Sequence, residues 1–248
     1  MKKLITALIT LFFLFPLMAQ EYEKDMFSTS QGDLTITCIG HASLMFLWND
    51  MIMYVDPVMR EADFTQFPEA DMILITHQHG DHLDQNALNA LMKDSTIIIL
   101  TEASYEKIPS LDIPVTKVVQ EWEKLEFGEL ICEAIPAYNI KHVRANGDPY
   151  HPKGMGVGYV VTFGDFRVLI GGDTEDIPEY TKIASYNIDV AFLPMNVPYT
   201  MTPEMVANAA RMIRPKILYP YHYSNTDTDE LLELMAEDLY VEIRVRPF

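Results

Sequence analysis

The sequence predicts a mixed α/β domain in which two β-sheets share one core and helices lie outside. Three observations predict it. Short β-rich runs dominate the chain, and two early ones flank Asn49-Asp50, a hairpin turn that makes the opening strands antiparallel, unlike a doubly wound sheet. Strands followed by helices then recur in two successive halves. No internal repeat, low-complexity tract or Pro/Gly/Ser-rich linker separates those halves.

The N-terminus stands apart from this plan. Lys2 and Lys3 precede an uncharged apolar run from Leu4 to Met18, and Pro16 followed by Ala19 resembles the approach to a signal-peptidase site. The run is shorter than the roughly 20 apolar residues of a membrane span. Residues 1–19 are therefore expected to be a signal peptide, cleavage leaving Gln20 first in an exported, periplasmic or secreted protein without a stable membrane span. An uncleaved anchor is the alternative.

Strands are expected at Leu34–Ile39, Ser43–Trp48, Met51–Val55, Met72–Ile75 and Thr96–Leu100, most of them bounded by Gly, Asn, Asp or Pro. Helical patterns cover Gln85–Met92, Glu179–Ala184, Pro203–Ile213 and Asp229–Leu239, the third with Thr202 as N-cap and Pro203 in first position. Further strands are expected at Ile131–Ala137, Gly158–Phe163, Arg167–Ile170, Val190–Leu193, Lys216–Tyr219 and Val241–Val245. Cys38 and Cys132 both fall in strand-like runs; they read as buried thiols, with a bridge open to an exported protein and no zinc-knuckle spacing. The 248 residues carry a formal charge of −18, which repels phosphate backbones and argues against nucleic acid as partner.

The chemistry concentrates in Thr76-His77-Gln78-His79-Gly80-Asp81-His82, between an apolar strand and a helix. In an extended segment His77 and His79 face one side by the period of two, and Gly80 lets the chain turn to present Asp81 and His82. Imidazole and carboxylate together are the donor set of a borderline-soft metal such as zinc. No Ser-His-Asp elbow, phosphate-cradling loop or dinucleotide fingerprint competes, since Gly154–Gly158 follows a loop rather than a strand.

His-x-His-x-Asp-His after a buried strand resembles the signature of the metallo-β-lactamase superfamily, and the likeness runs over nearly the whole chain beyond the leader. Gly40-His41-Ala42-Ser43 and Asp56-Pro57-Val58 look like the opening motifs of its branch of general metal-dependent hydrolases, similar to ascorbate-phosphate lactonases and to the phospholipase D that cleaves N-acyl phosphatidylethanolamine. Gly171-Gly172-Asp173-Thr174 resembles the motif of the metal-bridging Asp, and Tyr219-Pro220-Tyr221-His222-Tyr223 that of the last metal-binding His. The resemblance implies a single four-layered αββα domain over residues 20–248. It also implies one or two zinc ions, or manganese or iron, held by His77, His79, Asp81, His82, Asp173 and His222.

Where the family usually supplies a third histidine for the first metal, this chain reads Tyr138-Asn139. His151 is the favoured replacement, because Pro152 and Gly154 mark a turn that folds it over the site; Asn139 and His142 are the alternatives. Asp56 is expected to orient the His-rich loop from behind the ligands, and His41 either to approach the site from the first hairpin or to be a hydrogen-bonded structural histidine. Tyr199, Tyr221 and Tyr223 read as packing or as pocket wall. The implied activity is hydrolysis of an ester, lactone or phosphodiester-type bond in a small molecule by metal-activated hydroxide, with Asp81 orienting the water or moving its proton. A β-lactamase and a non-enzymatic metal- or ligand-binding module are the alternative functions.

Overall fold

The computed structural model describes residues 22–109 and 115–248, so the expected signal peptide lies outside the described residues. Among them the first half contributes β1 (Lys24–Thr29), β2 (Gly32–Gly40), β3 (Ser43–Trp48), β4 (Met51–Val55), β5 (Met72–Leu74), β6 (Ile97–Leu100) and β7 (Val115–Val118), with helices α1 (Gln85–Leu91) and α2 (Glu102–Tyr105). The second contributes β8 (Lys124–Phe127), β9 (Leu130–Ala137), β10 (Gly156–Phe163), β11 (Phe166–Ile170), β12 (Val190–Pro194), β13 (Ile217–Tyr221) and β14 (Glu242–Ile243), with α3 (Tyr180–Ile183), α4 (Pro203–Ile213) and α5 (Thr228–Leu234).

Each half forms one sheet, its strands adjacent in sequence order, and the two halves repeat one plan. Hairpins make β1 to β4 antiparallel, after which β5, β6 and β7 add in parallel. In the second sheet β8 to β11 are antiparallel and β12, β13 and β14 add in parallel. The β3–β4 turn is Asn49-Asp50, both with positive φ, as a short hairpin turn requires.

The sheets face one another through one apolar layer. Leu44, Phe46, Val55 and Leu74 of the first meet Tyr159, Phe163, Ile170 and Phe192 of the second, and the Phe46 and Phe163 rings stack at 5.7 Å. The outer faces bury separate clusters, Ile73 and Ile98 under α1, and Leu169, Ala191 and Leu218 under α3, α4 and α5. The layers therefore run helix, sheet, sheet, helix. In α4, Thr202 accepts from the Met205 amide, Pro203 opens the helix, and Val206, Ala207, Ala210 and Ile213 bury one stripe at the 3.6-residue period.

The elements differ from the sequence reading mainly at the edges. β1, β7, β8 and the single turn α2 lie outside the expected set; β1 and β8 alternate exposed and half-buried residues, as border strands do. The last helix ends at Leu234 rather than Leu239, whose side chain is 93 % exposed and gives further turns nothing to pack against. The last strand shortens from Val241–Val245 to Glu242–Ile243, because only those residues pair with β13. Cys38 and Cys132 are free and buried in the shared core on β2 and β9, and burial pushes each thiol up to about 12.

Candidate metal centre

The parallel strands of both sheets end at the same rim of the sandwich, and the loops leaving them carry the chemistry. Asp56 follows β4, residues 76–82 follow β5, Asp173 follows β11 and His222 follows β13, while His41 sits in the β2–β3 turn. His41, Asp56 and His222 all adopt left-handed backbone, at φ 50°, 44° and 51°. Each such non-glycine residue costs on the order of 1–3 kcal/mol, strain that the surrounding fold sustains. The His222 amide donates to the His41 carbonyl at 2.9 Å, which ties the two halves together at the site.

Glycine permits the approach of the second sheet. A Cβ on Gly156, at the start of β10, would lie 2.9 Å from the Cβ of His77. Gly172, at φ +63°, turns the chain out of β11, and a Cβ there would lie 2.8 Å from the Val157 carbonyl. Gly156 thus serves close packing against the His-rich loop, and Gly158 does the same against the carbonyls of Ile170 and Gly171.

Two groups of ligand-type atoms result, each with its members within 4.8 Å of one another: His77, His79, His151 and Asp173, and His41, Asp81, His82 and His222. Asp173 lies between them. Its Oδ2 is 3.0 Å from His151 Nε2 and 3.8 Å from His77 Nε2, while its Oδ1 is 3.3 Å from His82 Nε2 and 3.5 Å from His222 Nε2. Asp81 Oδ2 faces His41 Nε2 at 3.2 Å and His222 Nε2 at 3.6 Å, and the His41 and His222 rings lie 3.8 Å apart.

Residues behind these groups fix their tautomers. Asp56, fully buried, accepts from the Thr76 amide at 2.8 Å and hydroxyl at 2.6 Å, and takes His82 Nδ1 at 2.8 Å, so His82 presents Nε2. Asn139 Oδ1 accepts from His151 Nδ1 at 2.6 Å and from the His151 amide at 2.8 Å, which leaves His151 Nε2 toward Asp173. The Asn139 amide nitrogen is held in turn by Glu175 Oε1 at 3.0 Å and the Tyr199 carbonyl at 2.9 Å. Glu175, also fully buried, accepts the backbone amides of Ile140, Lys141 and His142, and so pins the loop that carries His151.

A cation fits this donor set. Among the described residues, the buried atoms His82 Nε2, His222 Nε2 and Asp173 Oδ1 have no hydrogen-bond partner although they face one another, which is costly for polar groups unless something binds them. The charge states suit ligation as well. Burial holds His77 and His79 below the usual imidazole range, His77 far below, and lowers His41 too. Burial works against the Asp173 and Asp81 charges, but the histidines around them hold both carboxyls below the ordinary range. At His82 burial is outweighed by Asp173 and Asp56, which raise it, so a metal would displace its proton.

Each residue singled out in the sequence now has a place. His77, His79, His82, His151, Asp173, Asp81 and His222 come together; Asn139 lies behind His151, and Asp56 behind His82. His142 turns its ring to Glu175, 2.9 Å away, and lies in neither group. His41 presents its Nε2 within the second group rather than supporting the site from behind. Tyr221 packs in the shared core and its hydroxyl accepts from the Gly172 amide, Tyr223 packs against the outer cluster of the second sheet, and Tyr199 lines the cavity over the site. Sequence reasoning gave Thr76 no role of its own and did not mark Glu175 or the cavity-lining Arg144 and Tyr150. Glu175 is one of 36 acidic residues, and nothing local in the sequence separates it from a solvated one.

Residues 35–222 match the model of the beta-lactamase superfamily domain. The chain is similar to a metal-dependent hydrolase of Thermus thermophilus, 29 % identical over 75 % of this chain and 82 % of the relative. It is similar to one of Archaeoglobus fulgidus, 28 % identical over 86 % and 92 %. Among solved structures, one named as a metal-dependent hydrolase from Parabacteroides distasonis superposes with a TM-score of 0.84 at 45 % identity, over 91 % of this chain and 99 % of that one. Igni18, a metallo hydrolase of Ignicoccus hospitalis, shares the fold with a TM-score of 0.72 at 21 % identity, over 86 % and 95 %.

Proposed function

The chain belongs to the beta-lactamase superfamily, and on that premise we propose that it is a metal-dependent hydrolase, using zinc to cleave an ester, lactone or phosphodiester-type bond in a small molecule. The observation that carries this reading is the pair of largely buried ligand groups with Asp173 between them. His77, His79 and His151 would hold one ion, Asp81, His82 and His222 the other with His41 beside them, and Asp173 would reach both. Mixed nitrogen and oxygen ligation favours zinc and also admits manganese or iron. Bound there, a metal would supply Lewis acidity and make water a nucleophile at neutral pH.

The protein's own groups do the remaining work. Asp81 is the more exposed of the two carboxylates, at 34 % against 4 % for Asp173, and lines the cavity with one oxygen aimed at His41 and His222. In this reading Asp81 would orient a water or move its proton. Asp56 and Asn139 keep His82 and His151 in the tautomers that present Nε2, as carboxylates and amides behind metal-bound imidazoles do. Lys2, Lys3 and the apolar run after them support export, which N-terminal analysis of the protein made in cells tests: a chain beginning at Gln20 is expected, and one beginning at Met1 overturns it.

The activity is tested by loading the protein with zinc, manganese or iron and assaying esters, lactones, phosphodiesters and a chromogenic β-lactam. Turnover of one of the first three, lost on chelation and restored by metal, is expected. Turnover confined to the β-lactam would make the protein a β-lactamase, and full activity in metal-free protein would remove the mechanism.

A further inference from the structure

We propose that the loop between β9 and β10 builds an anion subsite in the same cavity: Arg144, seated on Tyr150, holds an oxyanion of the substrate beside the scissile bond. This rests on the hydrolase reading and narrows it to substrates bearing a carboxylate or phosphate. The cavity holds about 440 Å³, room for a small molecule. His79, Asp81 and His222 line it together with Arg144, Tyr150 and Tyr199.

Arg144 is the one Lys or Arg among the cavity's described lining residues. In a chain with twice as many acids as bases, Arg60, Arg211, Arg244 and Arg246 pair with carboxylates, whereas Arg167 bonds the Tyr186 carbonyl and Arg214 lies over the Tyr240 ring, both away from this cavity. Arg144 makes no ion pair among the described residues. It donates through Nη2 to the Tyr150 carbonyl at 3.1 Å and lies over the Tyr150 ring at 5.0 Å from the centroid. A guanidinium has five N–H donors in a planar fork, so most remain for a ligand. The carboxylates that share the cavity, Asp81 and Asp173, are committed to the histidines.

The arginine also stands on a braced loop. Its amide donates to the Asp148 carbonyl at 2.7 Å, its carbonyl accepts from Gly147 at 2.9 Å, and Val143 pairs with Pro149 across the turn. Glu175 anchors the start of the loop, and His151, further along it, faces Asp173. The cation is thus carried on the segment that also delivers a ligand histidine, which fixes its place relative to the reaction centre and reduces the ordering cost of binding. Tyr150 and Tyr199, edge to face at 5.1 Å, add an apolar wall next to it.

The test compares the metal-loaded protein on p-nitrophenyl acetate and on the p-nitrophenyl monoester of succinate, with binding of inorganic phosphate measured separately. Arg144→Gln is expected to raise KM for the succinate ester about tenfold with little change in kcat, to lower its preference over the acetate equally, and to weaken phosphate about tenfold. Arg144→Lys should recover part of each effect. Lys124→Gln, the same charge change on the distant edge strand β8, should leave the preference where it is. Equal preference and equal phosphate binding in wild type and Arg144→Gln, with esters still turned over, overturns the subsite and leaves the hydrolase standing. Weakened phosphate binding in Arg144→Gln with no ester turned over by wild type keeps the subsite and removes the esterase reading.

Discussion

Asp173 is the residue on which both ligand groups depend, and its neighbours show why a single carboxylate suffices: each of its oxygens faces two imidazoles. Asp173→Ala or Asp81→Ala should abolish turnover with the circular dichroism spectrum unchanged, since neither side chain packs in the apolar clusters. Unchanged turnover in both variants would move the site elsewhere. His151 poses a narrower question, because the sequence offers three residues of one loop as its third ligand and the structure ranks them by orientation. His151→Ala should lower metal stoichiometry. Asn139→Ala should weaken metal affinity about 10–100-fold by freeing the His151 ring, and His142→Ala should leave it unchanged. Metal release by Asn139→Ala alone, read by elemental analysis, would mean that the amide itself is the ligand. The turn at Pro152 and Gly154 favoured His151 in the sequence; what holds Asn139 behind it was not legible there, because it depends on Glu175, 24 residues beyond His151 and hydrogen-bonded to Asn139.

The strands that build the site were legible because both of their faces are buried. β5, β11, β12 and β13 read as apolar runs, and the loops after β5, β11 and β13 carry the histidines and aspartates that stood out. Border elements were not legible, since β1 exposes Lys24, Met26 and Ser28, β8 exposes Lys124 and Glu126, and both owe their conformation to a neighbouring strand. The glycines of 154–158 were legible only as an absence of side chains. The use of Gly156 appears in the packing, where β10 passes His77 too closely for a methyl group. Gly156→Ala should therefore displace His77 and weaken metal retention on the order of tenfold while the protein stays folded, as disturbance behind a ligand does. Gly128→Ala is the matched control: at φ +64° with open space around it, its cost is about 1–2 kcal/mol of stability, without effect on metal. Equal metal retention in the two variants, measured by competition with a chromogenic chelator, would show that the close approach does not position the histidine.

At the scale of the molecule, the two sheets are joined by their apolar faces, and one edge of the sandwich carries a polar clamp as well. Asp25 on β1 accepts from Arg244 at 3.1 Å and from Arg246 at 3.0 and 2.9 Å, both arginines lying just beyond β14 at the corresponding edge of the second sheet. Glu23 and Glu242 pair with the same arginines, and Tyr219 takes a further bond from Arg244. Burial works against the charge of Asp25, but the Arg246 hydrogen bond and the nearby guanidinium charges hold its carboxyl below its ordinary value of 3.8. A carboxyl lowered on folding stabilises the protein fully above its unfolded value and loses that contribution as pH falls through the folded one. Asp25→Asn should therefore cost about 1.5–3 kcal/mol at neutral pH, the range for hydrogen bonds to charged groups. The gap between wild type and variant should hold from pH 7 to about 5 and close as the pH drops below 3.8. Urea unfolding of both proteins with chelator present measures that gap without metal release at the active site entering the comparison. A gap that persists undiminished in strong acid would assign the cost to lost packing rather than to charge, and the clamp would then be a matter of shape alone.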